Sequence, residues 1–130
     1  MNIPFFLKLT LSNNEVVEIK GHGELTWQMI TVPKNDIVKM EIGDLCTTIY
    51  YIVISSMNNL TTVIIGNNVS TIYEGNINNC SLLTNIVIGT HVGFITISTC
   101  HNLTSITCLN PNAPTTFNLD TNTTGTLYVP

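Results

Sequence analysis

The sequence predicts a mainly β solenoid, built from stacked coils of about 23 residues with parallel strands. Three segments align without gaps: "IVKMEIGDLCTTI" (37–49), "LTTVIIGNNVSTI" (60–72) and "LTNIVIGTHVGFI" (83–95). Apolar and polar residues alternate within each, and the abundant Thr, Val and Ile favour a pleated surface. One such unit cannot bury its apolar face alone, so neighbouring coils are expected to stack.

Several columns of this repeat recur at a constant step along the chain. They are Gly43, Gly66 and Gly89; Ile42, Ile65 and Ile88; Ile49, Ile72 and Ile95; and Ile37, Leu60 and Leu83. A fourth copy, "LTSITCLNP" (103–111), follows after a shorter step from Leu83 to Leu103. In a partial fifth copy, "GTLYVP" (125–130), Leu127 and Val129 match Ile106 and Cys108. Such small changes of step are typical of loops on the rim of a stack.

The chain is expected to form one domain in three parts: an N-terminal cap (1–32), the repeats (33–109) and a partial terminal repeat (110–130). In the cap, "FLKLTLSNNEVVEIKG" alternates on both sides of Asn13-Asn14, which predicts a β-hairpin. "GELTWQMI" (23–30) predicts one helical turn, with Leu25 and Met29 on one side and Trp27 filling the core. Terminal units of solenoids are atypical because they shield the open end of the core.

The repeat resembles the BspA-like leucine-rich repeats, a family of gut bacteria and of phages that infect them. The family unit, roughly C-x-x-L-T-x-I-x-I-P-x-x-V-T-x-I-G-x-x-A-F, is similar to "CSLLTNIVIGTHVGFI" (80–95) and "MNNLTTVIIGNNVSTI" (57–72). The resemblance implies adhesion or protein interaction without enzyme activity. Two departures are the glycines at the family's proline position and Ile54, Ile77 and Ile97 in its Phe column.

Charge is scarce and unevenly distributed along the chain. Only 9% of residues are charged, all four lysines lie in the first 39 positions, and there is no Arg. From residue 45 onward the ionised side chains are Glu74 and Asp120, while 17 Asn and 20 Thr supply uncharged polar groups. Phosphate backbones and anionic membranes are held by clustered cations, so neither nucleic acid nor a lipid surface is the expected partner.

Neither membrane insertion nor classical export is expected. No apolar run approaches the roughly 20 residues that a bilayer-spanning helix needs. The start, "MNIPFFLKLTLSNNE", lacks a basic n-region, and its apolar run breaks at Lys8 before any small-residue cleavage site. We therefore expect cytoplasmic synthesis without a classical leader, with the protein located on a virion or a cell surface.

The cysteines leave two interpretations open. Cys80 and Cys100 occupy one column in neighbouring coils, about 4.8 Å apart by strand spacing, so they are either a disulfide or a pair of buried thiols. Cys100, His101 and Cys108 match no structural zinc spacing, so no metal or other cofactor is expected.

No catalytic residues are expected, because the acids are scattered along the chain. Glu41 and His91 could approach across stacked coils only by chance. Tyr50 and Tyr73 occupy the same position in successive repeats and should stack, either as an exposed contact surface or packed beneath the rim.

The sequence thus favours a structural or attachment protein that acts through protein–protein contacts. A virion decoration or fibre component of a phage fits best, and a bacterial surface adhesin that binds host protein or glycan is the alternative. The final strand would leave an open edge, which predicts self-association or docking through residues 105–130, with Leu127, Tyr128 and Val129 at the interface.

Overall fold

The computed structural model describes residues 4–73 and 77–112, together with the backbone of 116–119 and 126–128. These residues form short strands connected by turns. In chain order the strands are β1 (Leu7–Leu11), β2 (Val16–Ile19), β3 (Gly23–Leu25), β4 (Ile37–Ile42), β5 (Cys46–Ile49), β6 (Ile54–Ser55), β7 (Thr62–Ile65), β8 (Thr71–Ile72), β9 (Ile77–Asn78), β10 (Asn85–Ile88), β11 (Phe94–Ser98), β12 (Ser105–Cys108), β13 (Thr116–Leu119) and β14 (Thr126–Tyr128). Two 3-10 turns, Trp27–Met29 and Lys34–Asp36, separate β3 from β4.

Three sheets run along the stack, and the chain visits them in turn. The largest follows the order β14-β12-β10-β7-β4-β1-β2, the second β13-β11-β9-β6 and the third β3-β5-β8. Among the described strands, pairing between coils is parallel, and only β1 pairs antiparallel, with β2 and with β4. The structure is therefore the expected mainly β solenoid of about four turns, with the N-terminal hairpin lying against its first coil.

The register confirms the columns that the sequence predicts in the large sheet. Met40 pairs with Val63, Val63 with Ile86, Ile86 with Ile106, and Ile106 with Leu127. Each coil thus contributes one residue to a continuous row. The shortened fourth copy and the partial fifth copy keep this alignment in spite of their different steps.

Each early coil carries a third strand that the sequence analysis does not anticipate. Ile54 in β6 pairs with Ile77 in β9, which pairs with Ile97 in β11. Four residues separate Ile72 from Ile77, but only one separates Ile95 from Ile97, so β11 continues from the second side of the coil onto the third. This loss of three residues accounts for the shorter step before the fourth copy of the repeat.

The glycine column lies in a row along the stack, because each glycine packs directly on the main chain of the preceding coil. A Cβ atom on Gly66 would lie 2.6 Å from the carbonyl oxygen of Ile42, and one on Gly89 would collide with the carbonyl of Gly66. A Cβ on Gly43 would collide with the carbonyl of Phe5. Only a residue without a side chain permits this approach between successive coils.

The core consists of buried columns, one residue per coil, that run the length of the stack. Most of them are aliphatic: Ile37, Leu60, Leu83 and Leu103; Met40, Val63, Ile86 and Ile106; Ile42, Ile65 and Ile88; Ile49, Ile72 and Ile95; and Ile54, Ile77 and Ile97. One column holds Met57, Cys80 and Cys100. Burial of this continuous apolar face is what holds the coils together.

Uncharged side chains link successive coils on the surface of the stack. The hydroxyl of Thr61 donates to the carbonyl of Val38 at 3.0 Å, that of Thr84 to Thr61 at 3.2 Å, and that of Thr104 to Thr84 at 3.0 Å. Each bond joins one coil to the previous one, and its carbonyl also accepts the backbone N–H of the same threonine. The abundance of Thr therefore has a structural cause in the repeat.

Candidate functional site

Tyr50 and Tyr73 stack on the outside of the solenoid, as their spacing predicts. Tyr50 follows β5 and Tyr73 follows β8, and the preceding residues, Ile49 and Ile72, pair in register. The ring centroids are 4.9 Å apart with an interplanar angle of 22°, close to the distance between neighbouring strands. Tyr73 remains 40% exposed, so of the two locations that the sequence left open the structure shows the solvent-facing one.

A third ring, Tyr51, completes an aromatic cluster. Its ring meets Tyr50 edge-on at 6.4 Å and Tyr73 at 5.6 Å, with interplanar angles of 82° and 61°. Such pairs contribute about 0.5–1.5 kcal/mol each beyond area burial. Tyr51 is nevertheless 57% exposed, so the cluster fixes the rings in place without burying them.

Trp27 lies on the surface beside this cluster, and the prediction that it fills the core is wrong. The side chain is 47% exposed. Leu25 takes the core position instead, because it is fully buried and pairs in register with Ile49 of the next coil. Trp27 begins the 3-10 turn that follows, and no residue of that turn is buried. The part of the prediction that places a helical turn here is confirmed.

These residues form what we call the aromatic patch: Trp27, Tyr50, Tyr51, Ile52 and Tyr73. Within it lies an open groove of about 250 Å³, lined by Thr26, Trp27, Gln28, Tyr50, Tyr51 and Ile52. The turn after β3 provides one wall and the connection from β5 to β6 provides the other. The groove therefore depends on the stacking of one coil on the next.

Glu24 fixes the Tyr50 end of the groove. The Tyr50 hydroxyl donates to Oε1 of Glu24 at 3.2 Å, and Glu24 lies opposite Thr48 in the paired strand. This hydrogen bond is the main reason why the pKa of the Tyr50 phenol is raised. Glu24 is an exposed side chain, so its carboxylate also gives this end of the groove a negative charge.

Ile52 is held in an unfavourable backbone conformation. Its φ is 59°, in the left-handed region, where a β-branched residue is a true outlier. The side chain is 49% exposed at the groove, so core packing does not account for the residue. Strained residues of this kind concentrate at functional sites, which makes Ile52 a pointer to function that the repeat pattern alone did not reveal.

The predicted C-terminal contact residues lie on a different part of the molecule. Leu127 and Tyr128 belong to β14, which pairs with β12 and is the last strand in the order of the large sheet. Tyr50 and Tyr73 instead follow strands of the three-stranded sheet. Val129 falls outside the residues that the structure describes.

The four cysteines are buried, free thiols. Burial raises the pKa of Cys46 to about 11, with partial compensation from backbone hydrogen bonds. The pKa of Cys80 is also raised, first by a side-chain hydrogen bond with Cys100 and then by burial. Thiols held protonated in this way are poor nucleophiles and poor metal ligands.

Among the described residues, Glu41 and His91 have separate local partners. Glu41 forms a half-buried ion pair with Lys39 at 3.5 Å, whereas Nδ1 of His91 lies 2.6 Å from the carbonyl of Asn67. His101 is exposed beside the buried Cys100. Within residues 4–73 and 77–112, no group of three or more His, Cys, Asp or Glu side chains could hold a metal ion.

No family model, curated protein or solved structure matches this chain. In the part of the chain that the structure describes, no helix is long and apolar enough to cross a membrane.

Proposed function

We propose that this chain is a non-enzymatic attachment protein that acts through protein–protein contacts as a subunit of a larger assembly, such as a decoration or fibre component of a phage virion. The observation that carries the proposal is the aromatic patch. Aromatic residues are enriched in protein interfaces and supply much of their binding energy. Here an indole and three phenol rings are positioned on the surface of the stack.

The surrounding surface also suits contact with another molecule. From residue 45 to residue 130 only Glu74 and Asp120 are ionised, so little charge has to be desolvated when a partner covers this part of the chain. The C-terminal strand β14 offers a second contact: it pairs with β12, and the sheet order gives it no further partner among the described strands. We include self-association through Leu127, Tyr128 and Val129 in the proposal.

The BspA-like repeat motif supports the same class of function. The proposed membership of that family rests on the columns around "LTNIVIG" and "LTTVIIG". An adhesin that binds host protein or glycan on a bacterial surface is the second candidate. It is favoured by the combination of exposed rings with two polar residues, Thr26 and Gln28, that line the same groove.

Fractionation of the organism that produces the chain tests the proposal. Particles purified on a density gradient should contain the chain in a fixed ratio to the major structural protein, as measured by quantitative mass spectrometry. Replacement of Tyr51 and Tyr73 by Ala should lower that ratio, whereas replacement of Leu82, which is 45% exposed outside the patch, should not. Recovery of the chain on intact cell envelopes would favour the adhesin, and recovery only as a 14.3 kDa soluble monomer would refute both.

A further inference from the structure

The size and openness of the groove indicate the kind of ligand that it takes. Its volume of about 250 Å³ is below the roughly 300–1,000 Å³ of pockets that enclose a whole drug-sized molecule. Two of its lining residues, Trp27 and Tyr51, are about half exposed. A groove of this kind suits a few side chains of a longer extended chain that passes across the surface.

The hydrogen-bonding groups of the lining include one that only an acceptor on the ligand can satisfy. The indole of Trp27 is a donor only, whereas the side chains of Thr26, Gln28 and Tyr51 carry both donors and acceptors. The Tyr50 hydroxyl is already bound to Glu24. Proline has a carbonyl acceptor and no N–H, and a polyproline II segment makes no internal hydrogen bonds, so its carbonyls need donors of this kind.

The distribution of charge around the groove indicates which residue type lies next to the bound segment. Among the described residues, no charged side chain lines the groove, and the exposed Glu24 lies at its Tyr50 end. A neutral segment with a basic residue next to it matches this distribution. Aromatic-lined grooves are known to dock proline-rich segments because the extended conformation is preformed and little entropy is lost on binding.

We infer that the groove between Trp27 and Tyr51–Ile52 docks a proline-rich segment of a partner protein in the polyproline II conformation, with an Arg or Lys of that segment beside Glu24. This inference rests on the proposed function, since it names the chemistry of the partner. In the chain's own Pro-x-x-Pro sequence, 111–114, the two described residues, Pro111 and Asn112, form a turn in which the Asn112 N–H donates to Oδ1 of Asn110 at 3.0 Å.

Intrinsic fluorescence gives a direct assay, because Trp27 is the single tryptophan of the chain. The probe is an octaproline peptide with one Arg at each end, and the matched control has the same length and ends with Gly and Ser replacing the prolines. We expect a saturable change in Trp27 emission with the proline peptide and affinity weaker by about tenfold or more for the control. A proline peptide with Glu in place of Arg at each end should bind more weakly. The E24Q variant should show a smaller difference in affinity between the Arg-ended and Glu-ended peptides.

Variants separate the ring contact from general damage. Tyr51→Ala should lose about tenfold or more in affinity, whereas Tyr51→Phe should retain most of it, since the ring supplies the wall. Phe94→Ala is the control, because Phe94 is 40% exposed but does not line the groove. The melting temperature of each variant is measured as well, and a value close to that of the original chain shows that the fold is kept.

Four outcomes would overturn the inference. Saturation by a neutral oligosaccharide and not by the peptide would assign the groove to glycans, and a Trp27 signal that changes on dilution without ligand would assign it to a second copy. Equal response to the proline and Gly/Ser peptides, or no response to either, would refute the polyproline assignment. If the chain still copurifies with particles in that case, the proposed function stands while this inference fails.

Discussion

Replacement of Gly89 by Ala tests how closely the coils are packed. The new methyl group would collide with the carbonyl oxygen of Gly66, and it would lie 2.7 Å from the carbonyl carbon of Gly66 and 2.8 Å from the carbonyl oxygen of Ile65. All three atoms belong to the main chain of the preceding coil. They cannot rotate away as a flexible side chain would, so the two coils have to separate locally.

Overpacking of a tight site costs about 1–3 kcal/mol. Because several main-chain atoms are displaced at once, we expect the upper end, about 3 kcal/mol. With a urea m-value of about 1.5 kcal/mol/M, the midpoint of unfolding should fall by about 2 M. At about 4 °C per kcal/mol, the melting temperature should fall by about 12 °C.

Gly93→Ala is the matched control, since no atom beyond its two chain neighbours is found within 4 Å of the position that its new methyl group would take, and its φ is not in the left-handed region. There the substitution should be neutral or stabilise by about 0.4–1 kcal/mol, through lower entropy of the unfolded chain. Urea unfolding followed by circular dichroism measures both variants. Free energies of unfolding for the two variants that agree within about 1 kcal/mol would refute the stacked arrangement of glycines.

Three further predictions concern strain and pH. Ile52→Gly should raise the free energy of unfolding by about 1 kcal/mol, because glycine adopts the left-handed φ of 59° without strain. The same variant should bind the proline peptide more weakly in the fluorescence assay. A loss of stability would show that Ile52 is not strained. Thr99→Asn should stabilise by about 1 kcal/mol, since φ is 55° there and Asn79 already fills the equivalent position at 54°; an unchanged melting temperature would contradict this. Folding raises the pKa of Cys46 from 9.0 to about 11, so between pH 9 and 11 the unfolded chain loses a proton that the folded chain keeps. The urea midpoint should therefore fall with rising pH in that window, and it should fall less in Cys46→Ala. A midpoint independent of pH would contradict the buried thiol.

Periodicity was sufficient to predict the stacked columns. Register along a parallel ladder follows from alternation and a constant step, so the row from Met40 through Val63 to Ile86 could be read from the sequence. The hairpin at Asn13-Asn14 has a local turn signal, and Asn14 does adopt a left-handed φ of 70°. Both features depend on short-range or repeating information.

The aromatic patch could be predicted only in part. Tyr50 and Tyr73 share a repeat position, so their stacking followed from the constant step of the repeat. Trp27 and Ile52 lie in turns with no counterpart in the repeat, and a turn's direction depends on tertiary contacts that the pattern does not encode. The groove therefore depends on a tertiary arrangement, the turn after β3 lying beside the connection that follows β5, which the repeat pattern does not encode.

The most direct test of the stacked-coil account is a nuclear Overhauser experiment on the labelled chain. Val63 should show contacts to both Met40 and Ile86, which lie one full repeat away on either side, and the ring protons of Tyr50 should show contacts to those of Tyr73. Contacts of Val63 confined to its own segment, with no contact between the two tyrosine rings, would contradict both the solenoid and the aromatic patch.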